Sequence, residues 1–161
     1  PILCSTGEEA WDITGGGEED SVLFHTWHEF PPINEKAEAE LVKKWTAVRE
    51  AREAVTAAIE PLRTNKTVGS SLQAEAEITA PEATADYLTA LGEELRFALL
   101  VSKVEVKTGS ELAVTAKASD GEKCERCWHY THDIGSVAGH ETICKRCAEN
   151  VDGKGEERHY A

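Results

Sequence analysis

Residues 121–147 run GEKCERCWHYTHDIGSVAGHETICKRC, which puts Cys124 and Cys127 in one Cys-x-x-Cys pair and Cys144 and Cys147 in a second, sixteen residues further on. Tetrahedral zinc takes four thiolates, and two knuckles joined by a loop of this length deliver them without a large core around the metal. The expectation is one Zn2+ held by Cys124, Cys127, Cys144 and Cys147. Four thiolates leave no open coordination position, so such a metal is structural and activates no water. Paired disulfides belong to secreted chains, which this one does not resemble, and a redox Cys-x-x-Cys usually occurs once, near a βαβ pattern. His129, His132 and His140 lie in or beside the loop. They leave open a Cys-Cys-His-Cys site in which one cysteine faces elsewhere.

A closed zinc site offers a rigid platform. Arg126 sits inside the first knuckle, Trp128 and Tyr130 directly after it, Lys145 and Arg146 inside the second, and Arg158 in the tail. Aromatic rings stack on unpaired bases while Arg and Lys meet phosphates or base edges, a pairing suited to single-stranded loops of RNA. These six residues are the candidate RNA contacts. Trp128 has a second reading, as the small core of the finger itself.

The 161 residues carry a net charge of −13, which taken whole argues against a nucleic-acid partner. Residues 121–161, however, hold six Lys/Arg against eight Asp/Glu, a balance of −2, so that −11 lies in residues 1–120. An acidic body of this kind steers nucleic acid toward the finger, and otherwise it is an ordinary solvated surface. The 40% hydrophobic content is enough for a core. No run of eighteen apolar residues suits a membrane span, and residues 1–20 lack the basic-then-apolar pattern of a signal peptide. The expectations are a cytoplasmic monomer with no membrane partner, and Cys4 as a buried thiol. A start at Pro1 with no Met anywhere suggests a piece of a longer protein.

Working back from the finger, the fold class reads as α+β in three parts: residues 1–65 helical, 66–119 a small α+β unit, and 120–161 the finger. An amphipathic opening around Leu3, Ala10 and Trp11 leads to a turn at Gly15-Gly16-Gly17, an apolar stretch Val22-Leu23-Phe24 running on to Trp27, and a close at Pro31-Pro32. Gly15–Gly17 lacks the Lys-Ser/Thr that would follow in a P-loop. Asn34 is placed to cap a long helix with Leu41, Trp45, Val48, Val55, Ile59 and Leu62 on one face, and Pro61 predicts a kink or an early finish. Leu72 to Thr79 alternates as a half-buried strand, and Pro81 opens a helix buried through Tyr87, Leu88 and Leu91. Phe97–Val101 with Val104–Val106 reads as one bent strand and Leu112–Val114 as another, joined by a hairpin at Gly109-Ser110. Lys117–Lys123 is then a polar linker.

Gly121-Glu122-Lys123-Cys124-x-Arg126-Cys127-Trp128-His129-Tyr130, with Ile143-Cys144-x-Arg146-Cys147 and a short tail, resembles the C-terminal zinc finger of bacterial isoleucyl-tRNA synthetases. The likeness extends upstream. Pro1-Ile2-Leu3 with Thr6, Glu8-Glu9 and Trp11 is similar to the last part of that family's helical anticodon-binding domain, Ser21-Val22 followed by Trp27 resembles its next segment, and Lys66-x-Val68-Gly69-Ser70-Ser71-Leu72-Gln73-Ala74 resembles the start of its junction unit. The resemblance implies a parent enzyme that joins isoleucine to its tRNA with ATP and Mg2+. It also implies a partner in the anticodon arm of tRNA(Ile), with the rest of the synthetase chain as a second. Neither a His-x-Gly-His nor a Lys-Met-Ser-Lys-Ser motif is present, so this piece is expected to be catalytically inactive. Formamidopyrimidine-DNA glycosylases share the finger type and use an N-terminal proline, but there a catalytic Glu follows, where this chain has Ile2 and Leu3. A third reading is a protein-docking zinc module.

Overall fold

The computed structural model describes residues 3–15, 20–32 and 34–160. They form two compact units that divide after Glu35.

In the first unit, helix α1 (Cys4–Thr14) is followed by one 3-10 turn at Val22–Phe24. Short polar ties join the two: Trp11 Nε1 donates to Asp20 Oδ2 at 3.0 Å and Ser21 Oγ donates to Glu8 Oε2 at 3.0 Å. The Trp11 and His25 rings lie 4.5 Å apart. Gly15 ends α1 with φ +128°, a conformation open to glycine. Gly16 and Gly17, the rest of the expected turn, lie outside the described residues. Cys4 is exposed, contrary to expectation, and α1 has no buried residue at all. An element pair this small has too little apolar surface to cover any side of its helix. Leu23, Phe24, Trp27 and Phe30 are exposed as well.

The second unit is built on α2 (Glu35–Thr64), which begins directly after Asn34. Its buried stripe is Val48, Ala51, Val55 and Ile59, with Trp45 and Leu62 packed at the edges and Leu41 left exposed. The helix does not finish early at Pro61. It continues to Thr64, and Asn65 N–H bonds back to the Pro61 carbonyl at 3.0 Å. A proline this late removes only the donor for the Ala57 carbonyl, and Ala57 faces solvent, where water can serve that oxygen.

Strand β1 (Ala74–Ala80) is central in a three-stranded sheet, with β2 (Lys103–Thr108) parallel on one side and β3 (Ala113–Ala118) antiparallel on the other. Ala76 therefore faces Val104 across one ladder and Ala116 across the other. The alternation read over Leu72–Thr79 holds in part: Ser71–Gln73 form a 3-10 turn ahead of the strand, and Ala74, Ala76, Ile78 and Ala80 are buried, but so is Glu75. Helices α3 (Glu82–Thr89) and α4 (Leu95–Leu99) make the crossover that a parallel pair requires. Leu88, Leu91, Leu95 and Leu99, spaced three and four apart, seal the sheet against the α2 stripe.

Three local expectations are corrected. Phe97–Val101 is not strand: α4 occupies Leu95–Leu99, and Leu100 turns the chain at φ +57° before β2 starts. The leucine spacing is helical, and it prevails over the β-branched residues that follow it. Gly109-Ser110 is not a hairpin, since β2 and β3 flank β1 instead of pairing with each other. The connection instead crosses the end of β1, where Gly109 N–H bonds to the Ala80 carbonyl at 2.8 Å and a Cβ at Gly109 would run into the Thr79 side chain. Lys117 and Ala118 still belong to β3, and Glu122–Lys123 already form β4, which pairs with β5 (Tyr130–Thr131). The linker thus shrinks to residues 119–121. Helix α5 (Lys145–Asp152) ends the regular structure. No helix among the described residues is long and apolar enough to cross a membrane.

Candidate zinc centre and nucleic-acid interface

The four cysteine Sγ atoms all lie within 4.8 Å of one another. Local structure explains the convergence. In the first knuckle Cys124 N–H bonds to the His129 carbonyl and Trp128 N–H to the Cys124 carbonyl, each at 2.9 Å, which folds the chain tightly between the two cysteines. In the second, Cys144 occupies the N-cap of α5 and Cys147 its first turn. Glu125 N–H reaches the Thr142 carbonyl at 3.1 Å and joins the knuckles. Ile134 and Ile143 pack around the cysteines as the finger's small core.

The donor set fits zinc. With Zn–S distances of about 2.3 Å, a tetrahedron has sulfur–sulfur edges of about 3.8 Å, and Cys127 Sγ to Cys144 Sγ is 3.8 Å. That separation is far beyond a disulfide bond of about 2.0 Å. Cys124, Cys144 and Cys147 are buried and Cys127 half-buried. None of the three histidines takes a cysteine's place, since all four cysteines converge. His129 Nδ1 lies 3.2 Å from the Cys127 carbonyl, His132 pairs with Asp120 and His140 with Asp152.

The electrostatics favour anionic sulfur at one position and resist it at others. Burial acts to raise the Cys127 thiol, but hydrogen bonds from His129 and from Arg146 outweigh it and bring it down to about 5. Burial pushes Cys144 up to about 12 and raises Cys147 as well. Four adjoining thiols cannot all ionise without a cation among them. Each knuckle also supports the other: Arg126 Nη1 donates to Cys147 Sγ at 3.7 Å, and Cys144 N–H donates to Cys124 Sγ at 3.3 Å.

The candidate RNA contacts divide into two sets. Trp128 is 59% exposed at the tip of the first knuckle, outside the finger core, with Lys123 Nζ 5.4 Å from its ring centroid. Its backbone is left-handed at φ +65°, a region L-residues with large side chains rarely enter. Lys145 and Arg126 are exposed, and Tyr130 is half-buried. Arg146 and Arg158 turn the other way: both pair with Glu156, and the Arg146 side chain is only 18% exposed.

Sequence reasoning missed Phe97, Ser102 and Glu156. Tyr130 N–H donates to Ser102 Oγ at 2.6 Å while Ser102 Oγ donates to the Leu72 carbonyl, so one buried hydroxyl ties β5 to the sheet. No periodicity marks these residues. The repeated Cys-x-Arg-Cys of the two knuckles was a visible sign that Arg126 and Arg146 have equivalent places around the sulfurs.

A model of the zinc finger found in FPG and IleRS matches residues 121–150. Family and cluster together support zinc binding. All 161 residues align at 87% identity with an isoleucine--tRNA ligase of Neisseria meningitidis serogroup A, at 86% with one of Neisseria gonorrhoeae and at 52% with one of Chromobacterium violaceum. In each case the match takes in 100% of this chain and 17% of the relative, so the chain spans about one-sixth of the length of these curated relatives. From end to end the chain matches the C-terminal region of the isoleucine--tRNA ligases, and its residues 121–150 carry the zinc finger that FPG and IleRS have in common.

Proposed function

We propose that this chain is the tRNA-binding C-terminal part of an isoleucine--tRNA ligase and contacts the anticodon arm of tRNA(Ile) through its finger. Residues 1–65 would complete a helical anticodon-binding domain, 66–119 form the junction unit and 120–161 the finger. One structural zinc ion would be held by Cys124, Cys127, Cys144 and Cys147, and when bound it supplies charge neutralisation and a rigid scaffold. Isoleucine transfer, with its ATP and Mg2+, belongs to the longer parent enzyme, a cytoplasmic monomer whose remaining chain is this piece's second partner.

The observation that carries the RNA reading is the exposed Trp128, held beside Lys123 on a platform whose own core lies elsewhere. An exposed aromatic ring stacks an unpaired base, and the lysine held over it meets the adjoining phosphate. Tyr130, Lys145 and Arg126 are the finger's further candidate contacts. Arg146 and Arg158, the other candidates, act on RNA chiefly by holding this surface in place. The full-length similarity to the ligases favours this reading over a glycosylase, which shares only the finger.

The test is a binding titration of the zinc-loaded chain with a tRNA(Ile) transcript and with a transcript whose anticodon has been exchanged. Preference for the cognate transcript, with an affinity that falls as salt rises, supports the proposal. No binding at low salt with metal loaded would instead indicate a protein-docking module.

A further inference from the structure

Phe97, in α4, stands where the finger, the α+β unit and the tail meet. The guanidinium carbons of Arg158, Arg146 and Arg96 lie 4.5, 4.7 and 5.0 Å from its ring centroid, and the His129 ring meets it edge-on at 5.3 Å. Guanidinium groups are attracted to the face of an aromatic ring, and more strongly once water is excluded. Three of them around one ring repel each other, and Glu156 offsets that repulsion. Its Oε1 accepts from Arg146 Nη1 at 2.6 Å, Arg158 Nη2 at 2.8 Å and Asn150 Nδ2 at 3.1 Å. Its backbone N–H donates to Asn150 Oδ1 at 2.7 Å, which fixes the carboxylate relative to α5.

The tail then continues onto the α+β unit. His159 and Tyr160 N–H donate to the two Glu94 carboxylate oxygens at 2.7 and 2.6 Å, and Lys44 Nζ sits 3.8 Å from the Tyr160 ring centroid. Finger, α4, tail and α2 are thereby linked in series, while Ser102 ties β5 to the sheet from the other side. The finger is thus tied to the α+β unit at two separated points.

We infer that Phe97 and Glu156 are positioning residues: the clamp they form with Arg146 and Arg158 fixes the angle of the finger on the α+β unit, so that Trp128 meets RNA from one set direction. This rests on the RNA-binding reading of the finger. Arg146 belongs to the clamp and not to the RNA surface, because reaching a phosphate would require it to leave both Glu156 and the Phe97 ring. Neither Phe97 nor Glu156, the two residues substituted below, is among the four candidate zinc ligands.

The test compares the zinc-loaded chain with its Glu156→Gln and Phe97→Leu variants in three measurements: zinc content, amide residual dipolar couplings of the finger against those of the sheet, and affinity for an RNA hairpin carrying the tRNA(Ile) anticodon loop. In the unsubstituted chain one alignment tensor fits finger and sheet together. In Glu156→Gln zinc stays stoichiometric and the sheet couplings are unchanged, but the finger requires its own tensor and hairpin affinity falls about tenfold, the scale of one lost charged hydrogen bond. A single shared tensor in Glu156→Gln overturns the clamp, and so does a separate tensor with unchanged affinity. An unsubstituted chain that binds no hairpin overturns the RNA reading instead, and the clamp then stands or falls on the couplings. Should Phe97→Leu misfold, the near-isosteric Glu156→Gln decides the matter.

Discussion

Arg126, in the first knuckle, donates to the Sγ of Cys147 in the second at 3.7 Å, and Arg146, in the second knuckle, helps hold the Cys127 thiol low. Four thiolates around a divalent ion leave an excess of negative charge, which a neighbouring guanidinium group offsets. Groups that hydrogen-bond to metal ligands typically contribute tenfold to a hundredfold in metal affinity. Arg126→Ala is therefore expected to lower zinc affinity by about tenfold or more in competition with a chromogenic chelator. Lys145→Ala, which alters an exposed neighbour with no such contact, leaves zinc affinity unchanged.

Cys144→Ser removes a candidate ligand while keeping a residue well suited to the N-cap of α5. Metal binding and the folding of a small zinc module are one equilibrium. The expected result is loss of stoichiometric zinc and of amide protection in α5. Protection in β1 persists, because its core of Ile78, Leu88, Leu95 and the α2 stripe contains no cysteine. Hydrogen exchange resolved by residue reads both effects on one sample.

Glu156 gives the clamp a pH dependence. Burial works against its charged form, but the hydrogen bonds from Arg158 and Asn150 and the charges of Arg146 and Arg158 outweigh it, holding the carboxyl below the usual range. A carboxylate whose folded pKa is depressed contributes stability above its unfolded value, about 4.3, and that contribution is lost as pH falls through the folded value. Tail docking, followed by the Tyr160 and Glu94 resonances, is expected to hold at neutral pH and to fail only in acid, as pH falls through the depressed value. In Glu156→Gln docking is weak already at neutral pH.

Leu99→Ala tests the corrected part of the fold. Leu99 is buried in the single large core cluster, and truncating such a leucine costs about 2–5 kcal/mol. Urea unfolding of the zinc-loaded chain should show that loss, with the slope against denaturant unchanged.

What could be read from residues alone follows the range of the interactions. The convergence of the four cysteines was legible because thiolate ligation of a metal calls for short, fixed spacings. Strand β1 and the α2 stripe were legible because alternation and helical spacing repeat often enough to be counted. Helix α4 has only five residues and leads into Val101, Val104 and Val106, so its period competes with a β-rich context and is settled only by what Leu95 and Leu99 pack against. Strand order was hidden because β2 and β3 alternate equally well whether they pair with each other or flank β1. The roles of Arg146 and Arg158 were hidden for a related reason: a guanidinium on a finger looks like a phosphate contact until Phe97, far upstream in the chain, is found beneath it.

The most direct measurement is made on Trp128→Ala, with zinc content and affinity for the tRNA(Ile) anticodon-arm hairpin determined on the same sample. Because Trp128 lies outside the finger core, zinc should remain fully bound while affinity drops about tenfold, in line with the roughly 1–3 kcal/mol that one stacked base contributes. Zinc fully retained with affinity unchanged would contradict the assignment of this surface to RNA.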